Sequence, residues 1–569
     1  MMKRFLLVLA LLAACTAQAQ RYTNPVLHLD YSDPDVCRVG DRYYMTASSF
    51  NCFPGLPILE SEDLVHWELT GAALWDYEPA FREGVEHGNG VWAPAIRYHN
   101  GWFYIYVGDP DRGIFMVRSR NPRGRWSEPV WVVREKGFID PCPFWDEDGK
   151  AYLSHGCAGS RATHKSVVFV APLSADGTCL EGPSRIVFDG HLTQPTIEGT
   201  KFYKRGEWYY IFAPAGGVAT GWQTVLRSAS PWGPWEERIV MAWAPGTVNG
   251  PHQGAWVSAP DGTDWFLHFQ DKGAYGRILH LQPLTWRADG WPLIGEDLDG
   301  DGVGQPVKAW KAPASTPLRE NAEKRVTPCL EEQGITQNGA KMRNGVYGLP
   351  LEWQYPTVPS PYWHYALPGG GIRLYSVIQK DPEANLWNCP NLLLQKFPAE
   401  EFTVTARLTF MPNPALKGEQ AGFLVQGDDY AGLRLTDTPE GAQLDYISCL
   451  EAPKGNKEQV TVLTMLPYTL REPDFPYASG NVPAVKYPTF RQTEIWVRLT
   501  VKPRAVKGNV PDAVCHFSYS PDGKHFKAVN QEFIAKPELW IGAKFGFFCN
   551  RPVWKNDGGW VDIQALTIQ

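Results

Sequence analysis

A hairpin pattern that recurs five times in the first half of the chain is the strongest constraint on its fold. Each copy has a polar or acidic opening, a short apolar run, a glycine-containing turn and an aromatic strand. The turns lie at Gly40-Asp41, Asn100-Gly101, Asp148-Gly149, Arg205-Gly206 and Asp261-Gly262. Glycine accepts the positive φ angles that tight hairpins demand. Since hairpins repeating at roughly 50 to 60 residues are typical of propellers, the pattern predicts five four-stranded blades.

The second half of the chain keeps strand-like alternation but loses the repeat. Segments such as Phe402–Phe410 and Glu494–Val501 alternate apolar and polar residues, as strands of an antiparallel sandwich do. A chain of 569 residues is also too long for one ordinary core. The predicted fold class is all-β, with a five-bladed β-propeller at 20–306, a linker at 307–328 and a β-sandwich at 329–569.

The N-terminus has the features of an export signal at residues 1–19. Lys3-Arg4 precedes an apolar run from Phe5 to Ala14, and Ala17-Gln18-Ala19 is a well-formed cleavage site. The run is too short to span a membrane, and no later run approaches that length, so no transmembrane segment is expected. Leu12–Cys15 also resembles a lipobox, but cleavage after Ala19 is favoured over lipidation of Cys15. We expect a periplasmic or extracellular protein.

Composition limits the classes of partner. The net charge of -7 provides no basic footprint for nucleic acid. The 24 Trp and 24 Tyr suit platforms for sugar rings, although we expect most of them to pack between blades. The eleven cysteines are spread singly, no pair has zinc-site spacing, and the pattern names no disulfide. Oligomeric state is left open.

Three of the five blade openings carry an acid: Asp33, Asp140 and Glu198. Because inner strands converge at one end of a propeller channel, these carboxylates should meet there, repel one another and shift their pKa values. Such clusters mark functional sites. Two carboxylates suffice to cleave a glycosidic bond, one donating a proton and the other attacking the sugar or activating water. A third can adjust the proton donor, so the count predicts a glycosidase.

Several motifs together give the chain a resemblance to glycoside hydrolase family 43. They are Asn24-Pro25-Val26-Leu27, Asp33-Pro34-Asp35, Trp92-Ala93-Pro94, Ile139-Asp140-Pro141, Ile197-Glu198-Gly199, His252-Gln253-Gly254 and Gly273-Ala274-Tyr275-Gly276-Arg277. The chain most resembles the two-domain branch of β-xylosidases and α-L-arabinofuranosidases, which carry a C-terminal concanavalin-like sandwich. This resemblance implies an inverting mechanism, with Asp33 as general base, Asp140 as pKa modulator and Glu198 as general acid. Inversion implies that base and acid stand about 6.5 to 9.5 Å apart.

The resemblance also implies binding roles around the acids. Arg277 would hydrogen-bond sugar hydroxyls, with a surface ion pair as the alternative. Trp92 and Phe53 would wall the pocket, unless they pack between blades. His252 would lie near a structural calcium or other cation in the channel, or else be a satisfied core histidine. No cofactor is required for the reaction.

Three further features bear on specificity and metal binding. Asn51-Cys52 stands where well-studied xylosidases carry a large aromatic residue, which leaves the preference between xylose and arabinofuranose open. Asp297–Gly302 matches half of a calcium loop, but Lys308 at position 12 excludes an EF-hand and favours a surface turn. The sandwich resembles lectin-type binding modules, but a buttress role is favoured. In the resembling family it closes one side of the pocket, with Phe547 or Phe548 as candidates here, and a closed pocket would make the enzyme exo-acting.

The sequence therefore predicts an inverting exo-glycosidase. It would release terminal β-D-xylose, α-L-arabinofuranose or both from hemicellulose side chains, polysaccharide or oligosaccharides. An endo-arabinanase is the nearest enzymatic alternative, and it would need an open cleft. A non-catalytic carbohydrate-binding protein and a retaining fructosidase-like enzyme on a similar propeller are the others.

Overall fold

The computed structural model describes residues 21–243, 248, 250–313, 348–381, 383–471, 490–506 and 510–569. The predicted signal peptide at 1–19, including Cys15, lies outside these ranges. Most of the predicted linker and the first residues of the predicted sandwich also lie outside them.

Five four-stranded antiparallel sheets follow one another between Asp35 and Ile294, and a short strand, β1 (Arg21–Thr23), precedes them. Blade 1 contains β2 (Asp35–Val39), β3 (Arg42–Thr46), β4 (Gly55–Ser61) and β5 (Glu68–Leu74). Blade 2 contains β6 (Trp92–His99), β7 (Trp102–Asp109), β8 (Gly113–Ser119) and β9 (Val130–Val133). Blade 3 contains β10 (Phe138–Trp145), β11 (Ala151–Cys157), β12 (Val167–Leu173) and β13 (Arg185–Asp189). Blade 4 contains β14 (Lys201–Arg205), β15 (Trp208–Ala215), β16 (Trp222–Ser228) and β17 (Glu236–Ala242), and blade 5 contains β18 (His252–Ser258), β19 (Asp264–Asp271), β20 (Arg277–Trp286) and β21 (Pro292–Ile294).

The blades bury their faces against one another through apolar and aromatic side chains. Between blades 4 and 5, Phe212 stacks on Trp256 and Phe266 with ring centroids 6.0 and 6.1 Å apart. Because each sheet is covered by a neighbour on both sides, its middle strands are buried along nearly their whole length, as β7 and β8 are. The predicted five-bladed propeller is confirmed, and the five predicted hairpins open its blades.

A two-stranded sheet lies against blade 5 and joins the two ends of the propeller chain. Strand β1 pairs with β22 (Ala309–Lys311), so three residues expected in the linker form a strand instead. Asn24 donates hydrogen bonds from its side-chain amide to the carbonyls of Leu281 and Val307, both at 2.8 Å. The start of the chain and its return from blade 5 are thereby held together.

The C-terminal domain is a sandwich of two sheets. The first has the order β23-β24-β37-β27-β33-β34-β35, with β32 beside β33: β23 (His364–Ala366), β24 (Ile372–Tyr375), β27 (Phe402–Met411), β32 (Thr469–Arg471), β33 (Phe490–Arg504), β34 (Asp512–Ser520), β35 (Lys527–Ala535) and β37 (Trp560–Ile568). The second has the order β25-β36-β28-β29-β30-β31, with β26 beside β36: β25 (Val377–Ile378), β26 (Leu393–Lys396), β28 (Gln420–Gln426), β29 (Tyr430–Thr438), β30 (Gly441–Cys449), β31 (Gln459–Leu466) and β36 (Lys544–Arg551). Rings such as Phe423 and Phe517 meet between the sheets. The all-β fold class is confirmed.

Helical structure is minor in the described parts of the chain. It consists of α1 (Ala80–Glu83), α2 (Gly159–Ala162) and two 3-10 turns at Gly273–Tyr275 and Ala452–Lys454. None of these is long or apolar enough to cross a membrane. The nine cysteines in the described ranges are all free.

The sandwich docks on the propeller through backbone and side-chain hydrogen bonds. Phe53 and Tyr355 exchange backbone hydrogen bonds of 2.9 and 2.8 Å, and the amide of Val358 donates to the carbonyl of Phe81 at 2.8 Å. The Asn51 side chain donates to the carbonyl of Pro356 at 2.9 Å. These contacts place the second domain beside the openings of blades 1 and 2.

Candidate active site

A residue with a left-handed backbone conformation lies within two residues of the start of the inner strand in every blade. The five residues and their φ angles are Asp33 (53°), Ala93 (35°), Asp140 (55°), Gly199 (63°) and Gln253 (36°). In β6, β10 and β18 the strand register shifts at this point, as it does at a β-bulge. Bulges redirect side chains. Asp33 and Asp140 therefore occupy equivalent positions, and Glu198 directly precedes the glycine that does so in blade 4.

Asp33 is a buried carboxylate surrounded by hydrogen-bond donors. The hydroxyls of Ser32 and Ser48 donate to its Oδ2 at 2.9 and 2.6 Å. A guanidinium nitrogen of Arg277 lies 3.3 Å from its Oδ1 and donates to the Ser32 hydroxyl at 2.6 Å. Donors on both oxygens fix the orientation of the Asp33 carboxyl group.

Asp140 is the most deeply buried of the three acids. Burial raises its pKa well above the usual range, and the charge of Glu198 raises it further. The Gly199 amide donates to Asp140 Oδ2 at 2.7 Å and, with the Lys201 ammonium, opposes the rise. A methyl group placed on Gly156 would lie 4.0 Å from Asp140 Oδ2 and 3.8 Å from the Glu198 Cα. The two acids are therefore neighbours whose electrostatic interaction holds a proton in the site.

Glu198 is the most accessible of the three, with 32% of its side chain exposed. Its Oε1 lies 3.1 Å from Nε2 of His252, whose own side chain is fully buried. Nδ1 of His252 is buried as well and has no hydrogen-bond partner among the described residues. The structure thus brings the predicted cation-site histidine directly against the predicted general acid.

Arg277 lies between the acids and the second domain. Its guanidinium packs over the ring of Phe269 at 4.8 Å and faces the ring of Trp540 at 5.4 Å. The side chain is 7% exposed, so the alternative of a surface ion pair does not apply. A buried guanidinium that already contacts Ser32 and Asp33 can present its remaining donors to a sugar hydroxyl.

A loop of the sandwich, Glu538–Gly542, enters the propeller mouth. Glu538 meets His87 with 2.5 Å between Oε1 and Nδ1, and the Trp540 ring meets that of Trp92 edge-on with centroids 6.3 Å apart. Ile541 packs with Phe50 and Cys52. Trp540 stays 42% exposed in a left-handed backbone conformation, with φ of 68°. We name this segment the Trp540 loop, and it covers one side of the acids.

The two aromatic residues expected to wall the pocket have different positions. Trp92 lies at the mouth, half-buried, with its indole nitrogen donating to the carbonyl of Gly88 at 2.8 Å. Phe53 is fully buried among blade side chains, where it packs on Tyr77 and Phe81 and borders a crevice between the domains. The expectation for Phe53 therefore needs correction, because its ring fills the packing between blades 1 and 2.

The expectation that Phe547 or Phe548 closes the pocket is wrong. Both rings are fully buried within the sandwich, on opposite faces of β36, because alternate residues of a strand point to opposite sides. Trp540 occupies the mouth instead. At the departure noted in the sequence, Asn51 accepts a hydrogen bond from the Gly88 amide at 3.0 Å. The Cys52 sulfur accepts a hydrogen bond from the buried Lys544 ammonium at 2.9 Å. A polar contact between the two domains therefore stands where the well-studied xylosidases carry a large aromatic side chain.

Asp297, Asp299 and Asp301 lie together near the surface, and each offers one oxygen within 4.8 Å of the others, a spacing that could hold a metal ion. Their carboxylates accept hydrogen bonds from the amides of their own turn, such as Gly300 and Gly302. The preference for a surface turn over a calcium site therefore stays a prediction.

Two models of protein families match the chain. That of glycosyl hydrolases family 43 matches residues 22–292, and that of the beta xylosidase C-terminal concanavalin A-like domain matches residues 347–569. Solved structures share the fold: xylan beta-1,4-xylosidase from Bacillus halodurans superposes with a TM-score of 0.76 at 20% identity, covering 96% of this chain and 99% of that one. The GH43B protein of the Bacteroides ovatus xyloglucan PUL superposes with a TM-score of 0.74 at 22% identity, covering 97% of this chain and 100% of that one. At such identities the likeness shows the fold alone.

Curated relatives are similar over most of their length. A putative beta-xylosidase of Xylanibacter ruminicola is 39% identical, over 72% of this chain and 70% of its own. A beta-xylosidase of Formosa agariphila is 36% identical, over 96% and 90%. A non-reducing end alpha-L-arabinofuranosidase of Bacteroides ovatus is 31% identical, over 74% and 77%. The chain is a glycoside hydrolase and belongs to glycosyl hydrolases family 43.

Proposed function

We propose that the protein is an inverting exo-glycosidase that releases terminal pentoses, β-D-xylose or α-L-arabinofuranose, from hemicellulose-derived chains. One observation carries the proposal: the accessible acid Glu198 lies beside two buried acids under a loop of the second domain. The site therefore combines the carboxylates that glycoside hydrolysis needs with an enclosed mouth. Relatives named for xylosidase and arabinofuranosidase activity support the substrate class.

The three acids take separate roles in this mechanism. Glu198 donates a proton to the glycosidic oxygen, because it is the acid with exposed surface. Asp33 takes a proton from the attacking water, and its three hydrogen-bond donors hold its carboxyl group in place. Asp140 stays buried beside Glu198, and burial and the charge of Glu198 together raise the pKa of Asp140. Water attacks the anomeric carbon opposite the leaving oxygen, so the sugar leaves with inverted configuration and no covalent intermediate forms.

The exo mode is supported by the position of the second domain. The Trp540 loop covers the mouth from one side, and Trp92 stands opposite its ring. Aromatic faces of this kind pack well against a sugar ring. Arg277, held between them and Asp33, supplies donors to its hydroxyls. A long polymer passing through the site would collide with this loop, which disfavours an endo-acting enzyme.

A channel cation remains part of the proposal. The partnerless buried nitrogen Nδ1 of His252 fits one ligand atom of such an ion. Calcium takes six to eight ligands, mostly oxygens, so water would supply the others. A cation there would add positive charge behind the imidazole that contacts Glu198. We further propose that residues 1–19 direct export, on the composition of that segment.

The test is hydrolysis of 4-nitrophenyl β-D-xylopyranoside and 4-nitrophenyl α-L-arabinofuranoside by the wild type and by Glu198→Gln. We expect one or both to be cleaved and the variant to lose about a hundredfold or more in turnover, the usual scale for a missing general acid. Glu147→Gln, in the exposed hairpin turn of blade 3, is the control and should behave as the wild type. The ratio of the two rates names the preferred sugar.

The configuration of the first-formed sugar, followed by NMR, tests inversion separately. Retention would refute the assigned role of Asp33. If neither aryl glycoside is cleaved while internal bonds of arabinan are, the exo mode is refuted.

A further inference from the structure

Asp30 is a buried carboxylate that the proposed chemistry does not use. It is 7% exposed and lies three residues before Asp33. Its Oδ1 accepts a hydrogen bond from the backbone amide of Arg277 at 2.8 Å. Its Oδ2 accepts one from the backbone amide of Gly542 at 2.9 Å. One side chain thus joins blade 1, blade 5 and the second domain.

The three segments meet without room for further side chains. A Cβ on Gly276, whose φ is +78°, would lie 2.3 Å from the Asp30 carboxyl carbon. A Cβ on Gly542 would lie 2.7 Å from the Gly276 Cα. Next to them, the amide of Ala543 donates to the carbonyl of Ala274 at 2.8 Å. The carboxylate is therefore at a backbone junction that is closely packed on every side.

The two amides that Asp30 holds belong to the two sides of the sugar site. Arg277 provides the guanidinium beside Asp33, and Gly542 ends the loop that carries Trp540. The guanidinium and the indole are 5.4 Å apart, so their spacing depends on how the two backbones are joined. The Lys396 ammonium, which donates to the Asp30 carbonyl at 2.5 Å, fixes the backbone of Asp30 itself.

We propose that Asp30 is a positioning residue that sets the placement of Trp540 over Arg277, and through it the affinity for the terminal sugar. The inference rests on the proposed function for its kinetic readout. Asp30 touches neither substrate nor reacting atoms, so its effect falls on binding. Loss of binding that is equal in ground and transition states raises KM and leaves kcat nearly unchanged.

The first experiment compares Asp30→Asn with Glu419→Gln. Asparagine keeps the size of the side chain but has one accepting oxygen, so one of the two amides faces an NH2 group. Glu419 is a matched control, because this buried carboxylate also bridges two backbone amides, Asn413 at 2.5 Å and Gly559 at 2.8 Å, entirely within the sandwich. We expect Asp30→Asn to raise KM about fivefold, the scale of one misplaced aromatic contact, with little change in kcat. Glu419→Gln should lower the melting temperature and leave KM alone.

A double-mutant cycle shows whether Asp30 acts through Trp540. In a Trp540→Ala background, Asp30→Asn should raise KM by much less than fivefold, because the ring that it positions is gone. The inference would be overturned if the fold increase in KM of the double mutant equalled the product of the fold increases of the two single mutants. So would an unchanged KM in Asp30→Asn accompanied by a melting-temperature loss like that of Glu419→Gln.

Hydrogen exchange of the peptide that contains residues 538–543 separates this inference from the proposed function. Faster exchange there in Asp30→Asn, but not in Glu419→Gln, supports the positioning role even if the wild type cleaves no pentoside. Unchanged exchange in Asp30→Asn overturns it, whatever the activity.

Discussion

Asp140→Asn should stabilise the fold at neutral pH while it damages catalysis. Burial and the charge of Glu198 raise the pKa of Asp140, so its deprotonation is less favourable in the folded chain than in the unfolded one. Between the ordinary pKa of about 3.9 and the raised value, the folded state binds more protons. The free energy of unfolding therefore falls as pH rises through this window. Asparagine does not titrate, so the free energy of unfolding of the variant lacks this decrease.

The magnitude follows from the size of the pKa shift. Each unit of elevation corresponds to about 1.4 kcal/mol, so the advantage of the variant should exceed about 1 kcal/mol at neutral pH. The amide oxygen of asparagine can still accept the hydrogen bond from Gly199, and its NH2 group can donate towards Glu198. A gain of this size raises the melting temperature by about 2 °C or more in a domain of this length. Turnover should fall about a hundredfold, because the variant removes the titratable carboxyl group beside the general acid Glu198.

The assay is thermal unfolding of the wild type and the variant from pH 3 to pH 8. The difference in melting temperature should be near zero at pH 4 and grow with pH. Asp146→Asn is a control of opposite sign: burial opposes the shift, but hydrogen bonds from Lys204, at 2.5 Å, and from Tyr209 hold the pKa of Asp146 below its ordinary value. Its stabilisation is present above that ordinary value and is lost as pH falls, so this variant should be weakened at pH 7 and less so at pH 3.

Two results would refute the reasoning about Asp140. One is a variant less stable than the wild type at pH 7.5. The other is a stability difference that stays constant across the range, because a constant difference would mean that packing rather than charge distinguishes the two side chains. Either would show that burial and the charge of Glu198 do not raise the pKa of Asp140.

Two further predictions concern the mouth and the channel. Trp540→Ala should raise KM for the aryl pentoside about tenfold with a smaller change in kcat, measured by steady-state kinetics, because an aromatic wall is lost; Leu470→Ala, exposed on the sandwich, should change neither parameter. Metal analysis of the purified protein should find a divalent cation that chelator removes, with a fall in melting temperature that added calcium reverses. His252→Phe should abolish both the metal content and the calcium response, and a metal-free wild type with an unaltered melting temperature would contradict the proposal.

The acids were predictable because the fold is a repeat. A left-handed residue lies within two residues of the start of each inner strand, and a repeated pattern makes residues distant in the chain equivalent in space. Asp33 and Asp140 follow directly from that equivalence, and Glu198 from its place beside Gly199. Arg277 was predictable only from the resemblance to a family, since a single arginine after a glycine has no local signal for a buried role.

The Trp540 loop could not be predicted, because its role depends on how two domains dock. Glu538–Gly542 lies more than two hundred residues from the last blade, and nothing in its own pattern separates an inserted loop from an ordinary turn. Phe547 and Phe548 looked suitable as aromatic neighbours, but the alternation of β36 sends both into the sandwich. Phe53 misled for a related reason, because a Phe-Pro-Gly motif beside a pocket residue does not indicate which way the ring points.

Asp30 shows what a sequence alone does not reveal about such a junction. Aspartate is common in turns, so Asp30 before an inner strand gives no signal of a special role. Its partners are the backbone amides of Arg277 and Gly542, and any residue except proline provides such an amide. The junction also requires two glycines, because a side chain on Gly276 or on Gly542 would collide where the two backbones meet. A glycine pair from two domains around one acid is a pattern that only the docked structure makes visible. Under the proposed positioning role, affinity for the terminal sugar depends on a residue that touches no sugar, and the double-mutant cycle between Asp30 and Trp540 measures that dependence directly.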